Sequence, residues 1–340
     1  MKVLVYADVQ ADIGSENLFN APDKSLRLWC VDKLFADLKR IYAEYGCAAV
    51  IDLGDTFDNR SSIDHPSMAA VLDGLAWLPP SRKNVRLIGN HDQFLRDGSI
   101  HNGCLLDRHF HTVTTCETSG EDGCTIFYVS FPADYAALTE WLLKEGRRIR
   151  GPKMLFGHFQ VQGAVYKGGM ALTGVPKAAL APFQLVLLGH IHLPQALTSK
   201  IHYIGSPFQQ DWGEAGQSKR VAVVDTEDLS VEWVPLTGYP EYRTIGLNEF
   251  KQLNPAEEHR YRVALNSHVE AEQFFSLPHF NRGVAQYNYD ESATDQSRME
   301  EDWSFDGICR RYMKTVPPGK VGIEMTEDEL LAAVDFITKR

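Results

Sequence analysis

The sequence predicts an α/β protein, a sandwich of β-sheets flanked by helices and followed by a small α+β unit and terminal helices. Three observations predict it. Short apolar runs that end on a glycine or a polar residue recur along the first two thirds of the chain, and amphipathic helical periods separate the early ones. Beyond Gly238 and Pro240 the pieces become shorter and their pattern changes. The 340 residues are 44% hydrophobic, enough for a large domain and a smaller companion.

The elements follow in order. Strand character appears at Lys2 to Asp8, Cys47 to Asp55, Asn84 to Asp92, Cys124 to Pro132, Pro152 to His158 and Phe183 to His190. Apolar residues at three- and four-residue steps predict helices over Leu26 to Gly46 and His65 to Leu78. Strand, helix and strand in succession imply right-handed crossovers and largely parallel pairing. After "KIHYIGSP", two alternating runs within Arg220 to Leu236 flank a polar turn and predict a hairpin that closes the first domain, 1–238. The unit 239–292 reads as "YRTIG", a short helix near "NEFKQL", the strand "RYRVALNS", the helix "VEAEQFF" and the strand "GVAQYNY". In 293–340 a helix ends near Val316 before "PPG", and a terminal helix opens with a capping box of Thr326 and Glu329. Leu330, Leu331, Val334 and Ile337 fall on one side of that helix, a face for its own domain or for a partner.

Bulk properties exclude several classes. The formal net charge of -11 argues against a surface that grips nucleic acid everywhere, although "KEGRRIRGPK" is a concentrated basic stretch that reads as a solvated helix face. Six scattered cysteines without a Cys-x-x-Cys pair suit reduced structural thiols. Asp8 interrupts the first apolar run too early for a signal peptide and no stretch approaches a membrane span, so a cytoplasmic, membrane-independent protein is expected.

The strand ends carry the chemistry. They present Asp8 and Gln10, Asp55 with Asp58, Asn90 with His91 and Asp92, His158, and His190 with His192. Open α/β sheets bind ligands at that edge, where these residues would converge. Glycine precedes Asp55, Asn90, His158 and His190, allowing the sharp bend and close approach that a crowded ion cluster requires. Carboxylate, amide oxygen and imidazole without thiolate suit manganese, magnesium, iron or zinc, and the amide oxygens favour manganese. Seven candidate ligands exceed one tetrahedral ion and fit two ions sharing a carboxylate. Asp58 reads as a turn residue or one behind the ligands. His65, His101, His109, His111 and His202 lack such a context, and Phe208 and Trp212 read as packing under a loop rather than stacking on a base.

"GDTFDN", "GNHD", "GH" and "GHIH", in this order with Asp8, resemble the metal motifs of calcineurin-like metallophosphoesterases. "GHFQVQGA" and "YIGSPFQQDWGE" resemble the SbcD-type double-strand-break repair nuclease subunits, including their short phage counterparts. The resemblance implies one ion at Asp8, Gln10, Asp55 and His192 and another at Asp55, Asn90, His158 and His190. It implies a catalytic His91, with Asp92 holding its ring. It implies a manganese-dependent DNA phosphodiesterase with exonuclease and, as a further expectation, endonuclease activity, serving DNA repair and recombination with an SbcC-type coiled-coil ATPase bound by the C-terminal helices. Dimerisation would use helices of the first domain, with His65 to Leu78 as the candidate. The family usually begins Asp-x-His, whereas this chain has Gln10, an amide oxygen in place of an imidazole. That departure keeps two alternatives open: a nucleotide pyrophosphatase or small phosphodiesterase, and a metal-weakened scaffold that binds DNA ends.

Overall fold

Alternation along the first strand sets the layering. In β1 (Lys2–Tyr6) Val3 and Val5 join the apolar layer between two sheets, while Leu4 and Tyr6 join a second layer beneath helices. The chain is described by a computed structural model over residues 1–288, apart from 96, 167, 168 and 255. The expected helices of 293–340, with the Thr326 capping box, lie outside the described residues, as does Cys309.

The first sheet runs β12 (Val231–Leu236), β11 (Lys219–Asp225), β1, β2 (Ala49–Asp52), β3 (Val85–Leu87) and β4 (His111–Val113). From β1 to β4 the pairing is parallel, and the β11–β12 hairpin adds to β1 antiparallel. The second sheet runs β5 (Cys116–Glu121), β6 (Cys124–Val129), β7 (Lys153–His158), β8 (Leu185–Gly189), β10 (Ile201–Tyr203) and β9 (Gln195–Ala196), parallel from β6 to β10. Val5, Ile51 and Leu87 of one sheet meet Ile126, Phe156 and Leu187 of the other in a common apolar layer, so both sheets end their parallel strands at one rim.

Helices cover the outer faces. In α1 (Leu26–Tyr45) the Ser25 hydroxyl accepts from Leu28 N–H at the start, and Gly46 at φ 63° closes the end. Its buried stripe, including Val31, Leu34, Phe35 and Leu38, packs with Val71 and Leu75 of α2 (His65–Leu75) against the first sheet. The second sheet is covered by α3 (Tyr135–Arg148), which starts on an Asp134 cap and buries Leu138, Leu142 and Gly146. "KEGRRIRGPK" supplies the end of α3, where Lys144, Arg147 and Arg148 are exposed, whereas Lys153 at its far end is buried in β7.

A third sheet follows, β13 (Tyr242–Gly246), β14 (Arg260–Leu265) and β15 (Gly283–Tyr287), with α4 (Leu247–Phe250) and α5 (His268–Phe275). Met1–Gln286 form one compact unit. Within it, this small sheet clasps the long segment between β1 and α1. Glu258 accepts from the backbone N–H of Phe19 at 2.6 Å and Asn20 at 2.9 Å, and the Arg260 and Arg282 guanidinium groups lie 4.1 and 4.9 Å from the centre of the Phe19 ring. Tyr242 and Arg260 both donate to Glu16, at 3.1 Å.

Candidate metal centre

Past the last ladder bond of each strand, the chain turns inward. The backbone beyond β1 and β2 stays paired, with Asp8 N–H to Gly54 O at 3.0 Å, Gln10 N–H to Asp55 O at 2.9 Å and Ala11 N–H to Thr56 O at 2.8 Å. This holds two ligand-bearing segments side by side. Among the described residues, six non-glycine positions have positive φ, and four of them are Asp8, Gln10, Asp55 and His190. Such conformations cost of order 1–3 kcal/mol each and persist where surrounding contacts enforce them. Gly54 has φ 103°, and a Cβ there would lie 2.7 Å from Gly89 N. A Cβ on Gly89 would lie 2.0 Å from Asp55 Oδ1. The expected close approach of backbone to ligand is therefore real at both loops.

Asp55, His158 and His190 each place a ligand atom within 4.8 Å of the others, a set able to hold a divalent ion. Asn90 belongs to the same cluster: its Oδ1 lies 2.6 Å from His190 Nδ1 and 3.2 Å from His158 Nε2. His158 Nε2 is also 3.2 Å from Asp55 Oδ2, and its Nδ1 donates to Leu53 O at 2.7 Å. Burial works against charge on His158, but the Asp55 carboxylate outweighs it and brings the imidazole up to about 9. Asp55 is held below the usual carboxylate range, because the His158 charge and hydrogen bond overcome burial. His190 is pushed down to about 3 by burial and by the neighbouring His158. The hard oxygen and borderline nitrogen donors of this cluster match a divalent cation.

Asp8 is fully buried, and both its carboxylate oxygens accept from His190 N–H at 3.0 Å. Burial raises it to about 6, against the opposing influence of His158 and His192. His192 is oriented by Glu214, whose Oε1 accepts from Nδ1 at 2.7 Å, leaving Nε2 as the candidate ligand atom. Glu214 is held near 2, since His192 and Lys219 outweigh the effect of burial. Gln10 is buried and joined to Asp55 through its backbone.

His91 stands at the rim, its side chain one third exposed. Its N–H donates to Asp55 Oδ1 at 2.8 Å, which keeps it beside the cluster. The ring does not lean on Asp92. Nδ1 lies 2.5 Å from Asp58 O and 3.6 Å from Asp58 Oδ1, so Asp58 orients His91. Asp92 turns inward instead, because the chain reverses between Gly89 and Asp92. Its Oδ2 accepts from Asp55 N–H at 2.7 Å and Gly89 N–H at 2.9 Å, and its Oδ1 from Arg86 Nη2 at 2.8 Å. Arg86, fully buried, also reaches Thr56 Oγ1 at 3.2 Å, and Asp52 accepts from Gly54 N–H at 3.0 Å and Thr56 Oγ1 at 2.7 Å. An Asp52–Arg86–Asp92 network therefore ties the two ligand loops together from below.

Sequence reading missed Arg86, Gln160, Glu214 and Lys219 as parts of this site. Gln160 Nε2 lies 3.0 Å from His190 Nε2, fixing the ring on the side away from Asn90. Glu214 and Gln160 both fall in the two stretches singled out beside the metal motifs, which was the available signal. Phe208 is buried and stacks on Tyr239, so it is a packing residue as expected. Among the contextless histidines, His109 is buried against Leu78 O and His111 pairs with Glu117 on the surface.

The chain is 23% identical over 205 residues to exonuclease subunit 1 of Enterobacteria phage T4, 56% of this chain and 56% of that protein. The match supports the resemblance to SbcD-type metallophosphoesterases that the motifs carry. The chain spans about half the length of the curated relative it matches. No family model matches it. Among solved structures it is similar to YfcE, a phosphoesterase from E. coli, with 13% identity, a TM-score of 0.34, and coverage of 70% of this chain and 100% of that one. It is also similar to a dimetal phosphatase from Danio rerio, with 10% identity, a TM-score of 0.39, and coverage of 70% and 99%.

Proposed function

We propose that the chain is a metal-dependent phosphodiesterase that cleaves DNA, as the nuclease subunit of a two-protein assembly in DNA end processing. The observation that carries this reading is the meeting of Asp55, His158 and His190 at one rim with His91 beside them. Asp8, Gln10, Asp55 and His192 would hold one ion, and Asp55, Asn90, His158 and His190 the other, with manganese the best match to the donors. When bound, such a pair supplies an activated water and neutralises charge on the phosphoryl oxygens. With Nδ1 engaged by Asp58, Nε2 of an imidazolium His91 is the group that would protonate the departing oxygen. Asp92 acts at one remove, by setting the backbone of Asp55 and Gly89.

The T4 relative is named an exonuclease subunit, which supports a partner and a DNA substrate. An SbcC-type coiled-coil ATPase bound through 293–340, a homodimer through α2, and a division at 238 and 292 belong to the same proposal. So does a cytoplasmic setting; among the described residues no helix is long and apolar enough to cross a membrane. Gln10, in place of the family's imidazole, favours a second reading, a small-nucleotide phosphodiesterase.

Purified protein with manganese should degrade linear duplex DNA, alone or with its ATPase, and His91→Ala should lower the rate by at least about 100-fold. Hydrolysis of a small phosphodiester with DNA left intact would replace this reading by the second. Substoichiometric metal uptake with little turnover of either substrate would favour the scaffold.

A further inference from the structure

His158 and His192 are held by different kinds of partner. His158 is fixed by a backbone carbonyl, Leu53 O, which no side-chain substitution removes. His192 depends on one side chain. Glu214, fully buried, gives Oε1 to His192 Nδ1 at 2.7 Å, while its Oε2 lies 2.7 Å from Lys219 Nζ, 3.0 Å from Ser206 Oγ and 3.2 Å from Gln210 N. Lys219 Nζ in turn donates to His192 O at 2.9 Å, so ring and backbone of the histidine are both held by this pair. Gln210, anchored through its own N–H on Glu214, donates from Nε2 to Asp8 O at 2.8 Å. The carboxylate therefore reaches both His192 and Asp8, which come from segments 184 positions apart.

We propose that Glu214 is the positioning residue of the Asp8–Gln10–His192 half of the metal centre, acting on His192 directly and on Asp8 through Gln210, with Lys219 as its fixed counter-charge. The inference rests on the two-ion reading given above. Physically, a carboxylate behind a histidine ligand fixes the tautomer and ring plane, and loss of such a partner weakens metal binding by about 10- to 100-fold. This half of the site has an amide at position 10 where an imidazole would bind more strongly, so it has little affinity to spare. The residues that Glu214 is seen to hold, His192, Lys219, Ser206 and Gln210, lie outside the Asp55–Asn90–His158–His190 half, which should keep its affinity when Glu214 is changed.

Manganese uptake by the full chain, followed by calorimetry and by electron paramagnetic resonance of free ion, tests this. Wild type should show two binding steps, and the step lost in His192→Ala identifies the half-site concerned. Glu214→Leu combined with Lys219→Met replaces a buried ion pair by apolar groups of similar size, so no charge is left unpaired. The double variant should keep its metal-free melting temperature within a few degrees, weaken the His192 step by about 10- to 100-fold and leave the other step unchanged. Glu214→Asp, which keeps the counter-charge for Lys219 while retracting the carboxylate from His192, should weaken the same step. Unaltered binding of both ions in these variants, or equal weakening of both steps, would overturn the positioning role. Absence of uptake by wild type would instead overturn the metal-centre reading itself.

Discussion

Replacing Arg86 with methionine tests whether the two ligand loops hang on one buried charge. The guanidinium is fully buried, with Nη2 2.8 Å from Asp92 and Nε 3.4 Å from Asp52, and methionine fills much of its volume without charge. Breaking a buried pair by removing one partner costs about 3–5 kcal/mol, because the remaining charge is uncompensated. Two carboxylates are left here, which places the loss near about 5 kcal/mol, a third or more of a typical net stability of about 5–15 kcal/mol. The deficit belongs to the ionised carboxylates. Burial already holds Asp52 above its usual range while Arg86 draws it down, so losing Arg86 raises it further. A carboxyl raised above its unfolded value destabilises the fold when ionised, and the deficit shrinks as pH falls through the folded pKa. Urea denaturation followed by tryptophan fluorescence, at about pH 8 and about pH 5.5, should show a wide gap from wild type that narrows on acidification. A gap under about 1 kcal/mol, or one indifferent to pH, would refute the reasoning.

Three further outcomes are expected. His158, near 9 without metal, carries a proton that a bound cation would displace, so manganese uptake at about pH 7.5 should release close to one proton at this residue, falling away as pH rises through 9; a pH-indicator dye in weak buffer measures it, and metal uptake with no release would contradict the assignment. Gly89→Ala drives a Cβ into Asp55 Oδ1 and should lower metal affinity by at least about 10-fold while circular dichroism shows a folded protein, whereas wild-type affinity would show that the loop yields freely. Gln10→His should tighten manganese binding at the Asp8 half by on the order of 10-fold, and an unchanged isotherm would remove the significance attached to that position.

Much of the fold was legible because the central parallel strands, β2, β7 and β8 among them, are buried on both faces and so read as continuous apolar runs, as in "LVLLG" of β8. The early helices were legible from their buried stripes. What escaped was either exposed or narrow: β5, "CETSGE", has no apolar face to reveal it, and α3 buries only Leu138, Leu142 and Gly146. The candidate ligands were legible because glycine-polar steps repeat at strand ends. The groups that hold them were not. Asp92 is adjacent to His91 in sequence but faces the other way, into the Arg86 network, and adjacency says nothing about direction at a reversal. Glu214 meets His192 only because a loop folds back from β10, a contact with no period to betray it.

The clasp on Phe19 has a bearing on the order in which this molecule can form. Asp8 and Gln10 leave the ribosome early, yet the segment that continues from them is tied down by Glu258, Arg260 and Arg282, which emerge more than two hundred residues afterwards. Domains generally settle as units during synthesis, N-terminal parts first. In this chain the amino-terminal arm has to wait, and a nascent protein released short of residue 282 would carry all seven candidate ligands but lack part of the strap that secures the segment beyond two of them.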